Sequence, residues 1–571
     1  MSRSELETDE VLLPEGTPVP GEELLFLPLG GSGEIGMNLN LYGSEGEWII
    51  IDLGVTFGDD TMPWVDIITP DPAFIEDKRE RLAGIVLTHA HEDHIGAVPY
   101  LWRRLRCPIY ATSFTASILR RKLRETGLEK EAVITEIPLS GSFMAGPFTI
   151  DLITLTHSIP EPNAVVIRSA HGTVLHTGDW KLDPDPLVGE VTNEAALREL
   201  GEDGVLAMVC DSTNVFTEGA SGSEGDLRES LDELVGRYES GRVAVGCFAS
   251  NIARLETLAL VAADNGRHAA LIGRSLWSFY DSAKENGYLT DIPEFLTEYD
   301  VGRLPREKVL LICTGSQGES RAAFARIASG NHPRVELEKG DVAIFSSRII
   351  PGNEKSIARL QNRLVALGVE VVTEKDHFIH VSGHPGRDEL TQMYQWVNPQ
   401  VVVPVHGETR HLHEQAKLAR SCQIPQAVEI ENGLVLRLAP GDAEVVGRVH
   451  SGRLTLDGNR MVPLNSSMMT TRKRMMFNGS LAVSVVIGDD GELLSDPVIS
   501  GPGHFATEGE EREEAFLARL RAAATVAVET LSRSSSRDDA EVAEAVRCAV
   551  RKAFFLERTQ RPVTQVHVVR I

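Results

Sequence analysis

Four apolar runs, far apart along the chain, each end in residue types that bind metal ions. The first run ends in "HAHEDH" at 89–94, the second at His157, the third at Asp179 and the fourth at His406. Crowding titratable side chains raises the free energy of a folded chain unless a ligand binds them. In α/β folds, ligands bind at the carboxyl ends of strands. The pattern therefore predicts an α/β fold in which these strand ends meet around metal.

The four strand ends together supply five histidines and two aspartates. This count suits two metal ions that share a bridging carboxylate. Imidazole and carboxylate ligands favour zinc or manganese, and the lack of cysteine among them argues against a structural cysteine-type zinc site. The seven candidate ligands are His89, His91, Asp93, His94, His157, Asp179 and His406.

The segment "GSGEIG" at 31–36 follows an apolar run and matches the spacing of the dinucleotide-binding fingerprint. That fingerprint requires a helix directly afterwards, because the helix N-terminus holds the pyrophosphate. Here the chain continues as "MNLNLYGSEGEWIIIDLG", in which apolar residues alternate with period two, as in a strand. We therefore expect a glycine-rich turn between two paired strands and reject a nicotinamide site.

Charge and cysteine usage limit the class of protein. The net charge of −27 argues against a general polyanion binder but is compatible with a local basic channel. Six scattered cysteines with no CxxC pair favour a reducing cytoplasm. The N-terminus is acidic and proline-rich, as in a flexible tail, and no apolar run approaches the length of a membrane span.

Several motifs resemble those of one known family. "HAHEDH", "HSIPE", "TGDWK" and "PVHGE" are similar to the ligand motifs of the metallo-β-lactamase fold. "LGGSGEIGMN", "DSTN", "FASN", "TGSQGE", "FSSRIIPGNEK" and "HVSGH" resemble the β-CASP nucleases, and among them ribonuclease J of the alphaproteobacterial type. The resemblance covers about residues 24–445, with the motifs in family order.

The resemblance implies an α/β architecture. It consists of a metallo-β-lactamase αββα sandwich, an inserted β-CASP α/β domain and a small C-terminal α+β domain. Because His406 must meet Asp179 at the metals, the intervening region should be an insertion whose ends lie close together. The expected boundaries are a flexible acidic tail at 1–22, the metallo-β-lactamase domain at 23–204 and 353–445, the β-CASP domain at 205–352, a linker at 446–475 and the C-terminal domain at 476–571.

The resemblance also assigns roles within the site. It implies two Zn²⁺ per subunit, with Mn²⁺ or Mg²⁺ as substitutes. His89, His91 and His157 would hold one ion, and Asp93, His94 and His406 the other, with Asp179 bridging. The catalytic residues would be His384, as proton donor to the leaving oxygen, Asp211, which orients it, and Asp93. The 5′-phosphate of RNA would bind Ser250, Asn251, His380, Val381, Ser382, Gly383 and His384.

The function implied by the resemblance is a ribonuclease of mRNA decay and rRNA maturation. It would act as a 5′→3′ exonuclease on single-stranded RNA with a 5′-monophosphate, and as an endonuclease. We expect a cytoplasmic homodimer or homotetramer, with partners in an RNA-degradation complex and no membrane association. Two alternatives stay open at this point: a β-CASP nuclease that acts on DNA, and a non-catalytic RNA-binding scaffold.

Overall fold

The computed structural model describes residues 20–58, 61–505, 511–532 and 534–571. The chain divides into two compact units, with the boundary between Met461 and Val462. The acidic tail predicted at 1–22 lies, up to residue 19, outside the described residues.

Two facing sheets form the centre of the first unit. Along the strand Leu24–Gly30, side chains alternate between a core shared with the second sheet, which includes Phe26, and a core shared with helices, which includes Leu25. The first sheet contains, in spatial order, Glu444–Arg448, Leu434–Ala439, Leu24–Gly30, Leu39–Ser44, Glu47–Ile51, Leu82–Val86, Ile109–Ala111 and Ile134–Glu136.

The second sheet packs on the first through a core that includes Phe148 and Val209. Its outer face packs on helices through Met208 and Leu390. Helices thus cover both outer faces, and the predicted αββα sandwich is confirmed. The second sheet contains, in spatial order, Ser142–Ala145, Phe148–Thr154, Asn163–Ser169, Gly172–His176, Ala207–Asp211, Val401–Val405 and Gln426–Ala427.

A third sheet belongs to the inserted domain. All four of its strand pairings are parallel, and helices alternate with its strands, as in the α/β domain predicted for this insertion. In spatial order its strands are His268–Ile272, Val309–Cys313, Val243–Gly246, Val342–Phe345 and Glu370–Val372.

The inserted domain leaves and re-enters the second sheet at neighbouring strands. Ala207–Asp211 and Val401–Val405 are parallel and paired in register, with Asp211 opposite Val405. The ends of the inserted domain therefore differ from those expected at 205 and 352. Ala207–Asp211 belongs to the second sheet, and Glu370–Val372 completes the third.

Helices of the first unit fill the connections between strands. None of the helices in the described ranges is long and apolar enough to cross a membrane. The α-helices are Ala73–Glu76, Glu92–Ile95, Val98–Leu105, Ser113–Glu125, Glu194–Asp203, Glu224–Gly236, Ile252–Asp264, Arg274–Glu285, Ala323–Ala328, Glu354–Ala366, Arg387–Val397 and Thr409–Ser421. Short 3₁₀ turns occur at Arg79–Arg81, Val301–Arg303 and Arg306–Lys308.

The segment 446–475, interpreted from its composition as a linker, carries regular structure instead. The strand Arg453–Asp457 pairs antiparallel with Ile67–Pro70, and its Leu454 and Thr455 are buried. Thr56–Phe57 also pairs with Ile67–Pro70, and Arg460–Pro463 spans the boundary between the units. Elsewhere in the chain, the short strand Ser32–Gly33 pairs with Gly407–Glu408.

The second unit is a small α+β domain, as predicted. The sheet that its described residues form has three strands, in the order Val498–Ser500, Ser480–Ile487 and Val563–Arg570, with the first pair antiparallel and the second parallel. The helices are Ser467–Asn478, Glu511–Glu529 and Asp539–Arg558, with a 3₁₀ turn at Ser535–Arg537.

Candidate functional site

The "HAHEDH" motif lies between a central strand of the first sheet and a short helix. The strand Leu82–Val86 ends just before it, and the helix Glu92–Ile95 begins within it. The loop after the neighbouring strand Glu47–Ile51 holds the backbone of the motif, because Leu53 N–H donates to the carbonyl of His94 at 2.7 Å. Gly54 makes this approach feasible: a Cβ there would lie 1.6 Å from the Asp93 carbonyl oxygen.

The second sheet brings the other candidate residues to the same place. Its strands Phe148–Thr154, Gly172–His176, Ala207–Asp211 and Val401–Val405 all run in one direction. Their carboxyl ends therefore share one edge of the sheet. The residues at or just after those ends are His157, Asp179, Asp211 and His406.

The seven candidate ligands form two clusters that share Asp179. In each cluster the candidate ligand atoms lie within 4.8 Å of one another. Asp179 Oδ2 is 3.2 Å from His94 Nε2 and 3.6 Å from His406 Nε2, and it is 3.9 Å from Nε2 of His89 and of His157. The first ligand group is His89, His91, His157 and Asp179; the second ligand group is Asp93, His94, Asp179 and His406.

The chemistry of the first ligand group fits a metal ion. Nδ1 of His91 lies 3.0 Å from Nε2 of both His89 and His157. Burial lowers the pKa of His91 to about 4 and holds the pKa of His89 and of His157 well below the usual value. The three imidazoles are therefore neutral near pH 7, which is the form that binds zinc.

The shared carboxylate fits the same interpretation. Burial raises the pKa of Asp179, but the imidazoles of His406 and His94 outweigh it and hold that pKa well below the usual value. Its second oxygen, Oδ1, is buried and has no hydrogen-bond partner among the described residues. A buried carboxylate oxygen without a partner is costly, and a divalent cation would satisfy it.

Outer contacts orient the ligand imidazoles. His94 Nδ1 lies 2.7 Å from Asp52 Oδ2, and His157 Nδ1 lies 2.5 Å from the carbonyl oxygen of Gly383. Burial alone would lower the pKa of His94, but the carboxylates of Asp179 and Asp52 raise it well above the usual value. With Nδ1–H donated outward, Nε2 of each ring points toward the ligand cluster.

Asp52 is a site residue that the sequence analysis missed. It directly follows the apolar strand Glu47–Ile51 and accepts hydrogen bonds from the backbone N–H and the hydroxyl of Thr88, both at 2.8 Å. The signal was present, because the run "EWIII" is also followed directly by an acidic residue. The rule that singled out Asp179 would have found Asp52 as well.

His384 lies beside the ligand cluster and is paired with Asp211. Its Nδ1 is 2.7 Å from Asp211 Oδ2 and 3.9 Å from Asp179 Oδ2. Burial lowers the pKa of His384, but the carboxylates of Asp211 and Asp179 outweigh burial and raise the pKa to about 9. The imidazole thus carries a proton near neutral pH and can donate it from Nε2.

The predicted phosphate-binding residues fall into two segments. Within 380–384, Ser382 Oγ accepts from the side chain of Asn214 at 2.6 Å, Val381 is buried, and His380 Nδ1 is buried without a partner among the described residues. Gly383 lies against the ligand cluster through its carbonyl bond to His157.

The second segment begins the helix Ile252–Asp264. Ser250 is partly buried, whereas the side chain of Asn251 is buried and caps this helix by accepting from Arg254 N at 2.9 Å. Arg254 also donates to the carbonyls of Ser346 and Ile379, at 3.0 and 3.5 Å. It thereby ties this helix to the residues that precede His380.

Four family models match successive parts of the chain. They are the metallo-beta-lactamase superfamily at 37–237, the beta-CASP domain of ribonuclease J at 240–364, the RNA specificity domain of Zn-dependent metallo-hydrolases at 352–427 and the ribonuclease J C-terminal domain at 467–571.

Curated relatives match nearly the whole chain. Ribonuclease J of Sinorhizobium meliloti is 44% identical over 556 residues, which cover 96% of this chain and 98% of the relative. Ribonuclease J of Thermus thermophilus is 37% identical, over 82% of this chain and 84% of the relative. Among solved structures, an Enterococcus faecalis V583 protein of unknown function has a TM-score of 0.50 at 14% identity, over 73% of this chain and 100% of that protein, which supports the fold alone.

Proposed function

Because this chain belongs to the ribonuclease J family, we propose that it is a two-zinc ribonuclease that degrades 5′-monophosphorylated RNA in the 5′→3′ direction. Membership of the family makes it a hydrolase that acts on RNA. The proposal adds endonuclease activity at internal sites and roles in mRNA decay and rRNA maturation. It also places the enzyme in the cytoplasm, as a homodimer or homotetramer with partners in RNA degradation.

The position of Asp179 is the observation that carries the proposal. One carboxylate lies within reach of both ligand groups, which is the arrangement that a pair of metal ions requires. His89, His91 and His157 would hold one Zn²⁺, Asp93, His94 and His406 the other. Such a pair supplies an activated water and neutralises the charge of the scissile phosphate.

The remaining chemistry falls to His384. Asp211 accepts a hydrogen bond from Nδ1–H of this imidazole, so Nε2–H is free to protonate the 3′ oxygen that leaves phosphorus. Thr213 restrains Asp211 in turn, because its N–H and hydroxyl donate to Asp211 Oδ1 at 2.8 and 2.7 Å. The acid is therefore oriented before RNA binds.

The 5′-phosphate would bind in a cradle formed by Ser250, Asn251 and the segment 380–384. Small residues with available N–H and hydroxyl groups make such anion sites. His384 is the last residue of this segment, so the cradle and the proton donor are directly connected. A phosphate held in the cradle would therefore set the distance from the RNA end to the scissile bond. The proposed products are therefore mononucleotides.

One RNA prepared with a 5′-monophosphate, a 5′-hydroxyl or a 5′-triphosphate tests the proposal. We expect mononucleotides to appear fastest from the monophosphate form. Equal rates from all three would refute the cradle. Single-stranded DNA of the same sequence and a zinc-depleted sample complete the series: faster DNA hydrolysis would support a DNA nuclease, and RNA binding without hydrolysis at any metal content would support a scaffold.

A further inference from the structure

The glycine-rich segment 30–38, "GGSGEIGMN", lies against the second ligand group. It joins the antiparallel strands Leu24–Gly30 and Leu39–Ser44, as the rejection of a nucleotide site requires. Its backbone reaches two candidate ligands, because Gly31 O accepts from His406 N at 2.6 Å and Asn38 N donates to Asp93 O at 3.0 Å. The proposed reaction gives this segment no role.

The side-chain amide of Asn38 is buried between candidate ligands. Its Nδ2 lies 3.0 Å from the Asp93 carbonyl oxygen and 3.3 Å from His94 Nε2, and Nδ1 of His406 lies 2.9 Å from Nδ2 and 3.1 Å from Oδ1. If Nε2 of His406 is the ligand atom, its Nδ1 carries the proton; Asn38 Oδ1 then accepts from Nδ1–H, and Nδ2 donates to the Asp93 carbonyl. This arrangement leaves the lone pair of His406 on Nε2, which faces Asp179 at 3.6 Å.

The hydrogen bonds of Asn38 distinguish the two ligand groups. Within the described ranges, its side chain is hydrogen-bonded to members of the second ligand group and to none of His89, His91 and His157. His406 depends on this segment in a further way, since its φ of +53° is strained for a residue with a side chain. The bond from its N–H to Gly31 O helps to hold that conformation.

Two glycines of the segment share a backbone conformation but not their surroundings. Gly31 has φ +86° and Gly33 has φ +84°. A Cβ at Gly31 would lie 2.3 Å from Asn38 Oδ1, whereas a Cβ at Gly33 would meet only Thr409 Oγ1, at 3.9 Å. The absence of a side chain at Gly31 therefore leaves room for the Asn38 amide.

We infer that Asn38 is a positioning residue that orients His406 and sets the metal affinity of the second ligand group without affecting the first. The inference rests on the proposed function, because it assumes that both groups bind an ion. It also assigns a role to the glycine-rich segment, whose backbone and Asn38 side chain hold the second ligand group in place. Such outer contacts change metal affinity by roughly 10- to 100-fold.

The test counts zinc equivalents bound by the full-length chain during competition with a chelator of known affinity. Wild type is expected to bind two, and Asn38→Ala to bind one unchanged and the other roughly 10- to 100-fold more weakly. Asn38→Asp keeps an acceptor for His406 Nδ1–H and should weaken the second equivalent less. Asn40→Ala is the matched control, because Asn40 is also buried and its side chain has no hydrogen bond to either group among the described residues.

Gly31→Ala and Gly33→Ala separate displacement of the amide from backbone strain. Gly31→Ala should reproduce the selective loss seen with Asn38→Ala, and Gly33→Ala should bind both ions as wild type does. Equal zinc affinities in wild type and Asn38→Ala would overturn the inference and leave the proposed function intact. Equal losses of zinc affinity in Gly31→Ala and Gly33→Ala would do the same. Fewer than two equivalents in wild type would overturn both. Thermal unfolding without zinc verifies that each variant is folded.

Discussion

Nδ1 of His384 lies 2.7 Å from Oδ2 of Asp211, although the two residues are 173 positions apart. The pair joins the end of a strand in the second sheet to the loop before the helix Arg387–Val397. Through it the second sheet, which supplies three candidate metal ligands, also holds the candidate proton donor.

Replacing His384 with alanine removes that donor. We expect kcat on RNA to fall by roughly 10²- to 10⁴-fold, because general acid catalysis contributes about this much, while two zinc equivalents still bind. Steady-state kinetics and metal analysis on one preparation measure both quantities. His413→Ala is the control, since His413 is exposed and pairs with Glu429 at 3.1 Å on the surface. A kcat within a few-fold of wild type for His384→Ala would contradict the assignment.

Zinc should stabilise the folded chain through the residue that both ligand groups share. At about a hundredfold excess over the dissociation constant, each ion is expected to add about 2.7 kcal/mol to the free energy of unfolding. Asp179→Asn should lose most of this gain, because one substitution weakens both groups. Denaturant unfolding with and without zinc makes the comparison. A zinc-dependent gain of wild-type size in Asp179→Asn would show that the shared carboxylate is not a ligand.

The buried pair Arg254–Glu224 should be important for stability. Their side chains are 3.2 Å apart and 0% and 2% exposed. Arg254→Met leaves an unpaired buried carboxylate, so we expect the free energy of unfolding to fall by about 3–5 kcal/mol. Arg237→Met, which breaks an exposed pair with Glu233, should change it by about 0.5 kcal/mol or less. Equal effects in denaturant unfolding would contradict the prediction.

Gly386, which follows "HVSGHP", is constrained by space and not by its backbone angles. Its φ is −76°, but a Cβ would lie 2.3 Å from the Gly219 carbonyl oxygen. Gly386→Ala should therefore lower the free energy of unfolding by about 1–3 kcal/mol. Gly302→Ala is the control, because no atom lies within 4 Å of a Cβ at Gly302. A stable Gly386→Ala variant would mean that the Gly219 backbone moves freely.

The sequence was most informative where the chain alternates between apolar strands and polar ends. His157, Asp179 and His406 could be grouped because each follows an apolar run, and strand direction then brings them to one edge. Asn38 gives no such signal. Its importance depends on the approach of a turn to His406, which is 368 residues away and is brought near only by the completed fold.

Composition was a poor guide to the segment 446–475. A shift in composition there, which ends in the Met- and Arg-bearing stretch "SSMMTTRKRMM", indicated a linker. Leu454 and Thr455 are nevertheless buried in a strand that pairs with Ile67–Pro70. A five-residue strand contains too few apolar positions for its period to stand out. The pairing that stabilises it comes from a partner almost 400 residues earlier.

The adjacent strands Ala207–Asp211 and Val401–Val405 act as a double tether for the inserted domain. One strand ends in Asp211, which pairs with His384, and the other leads directly into His406. A displacement of the inserted domain would therefore move Asp211 and His406 together. The register between the tethers is set by their own ladder of backbone hydrogen bonds. Residues can therefore be gained or lost within the intervening domain during evolution while the spacing of the two side chains is preserved.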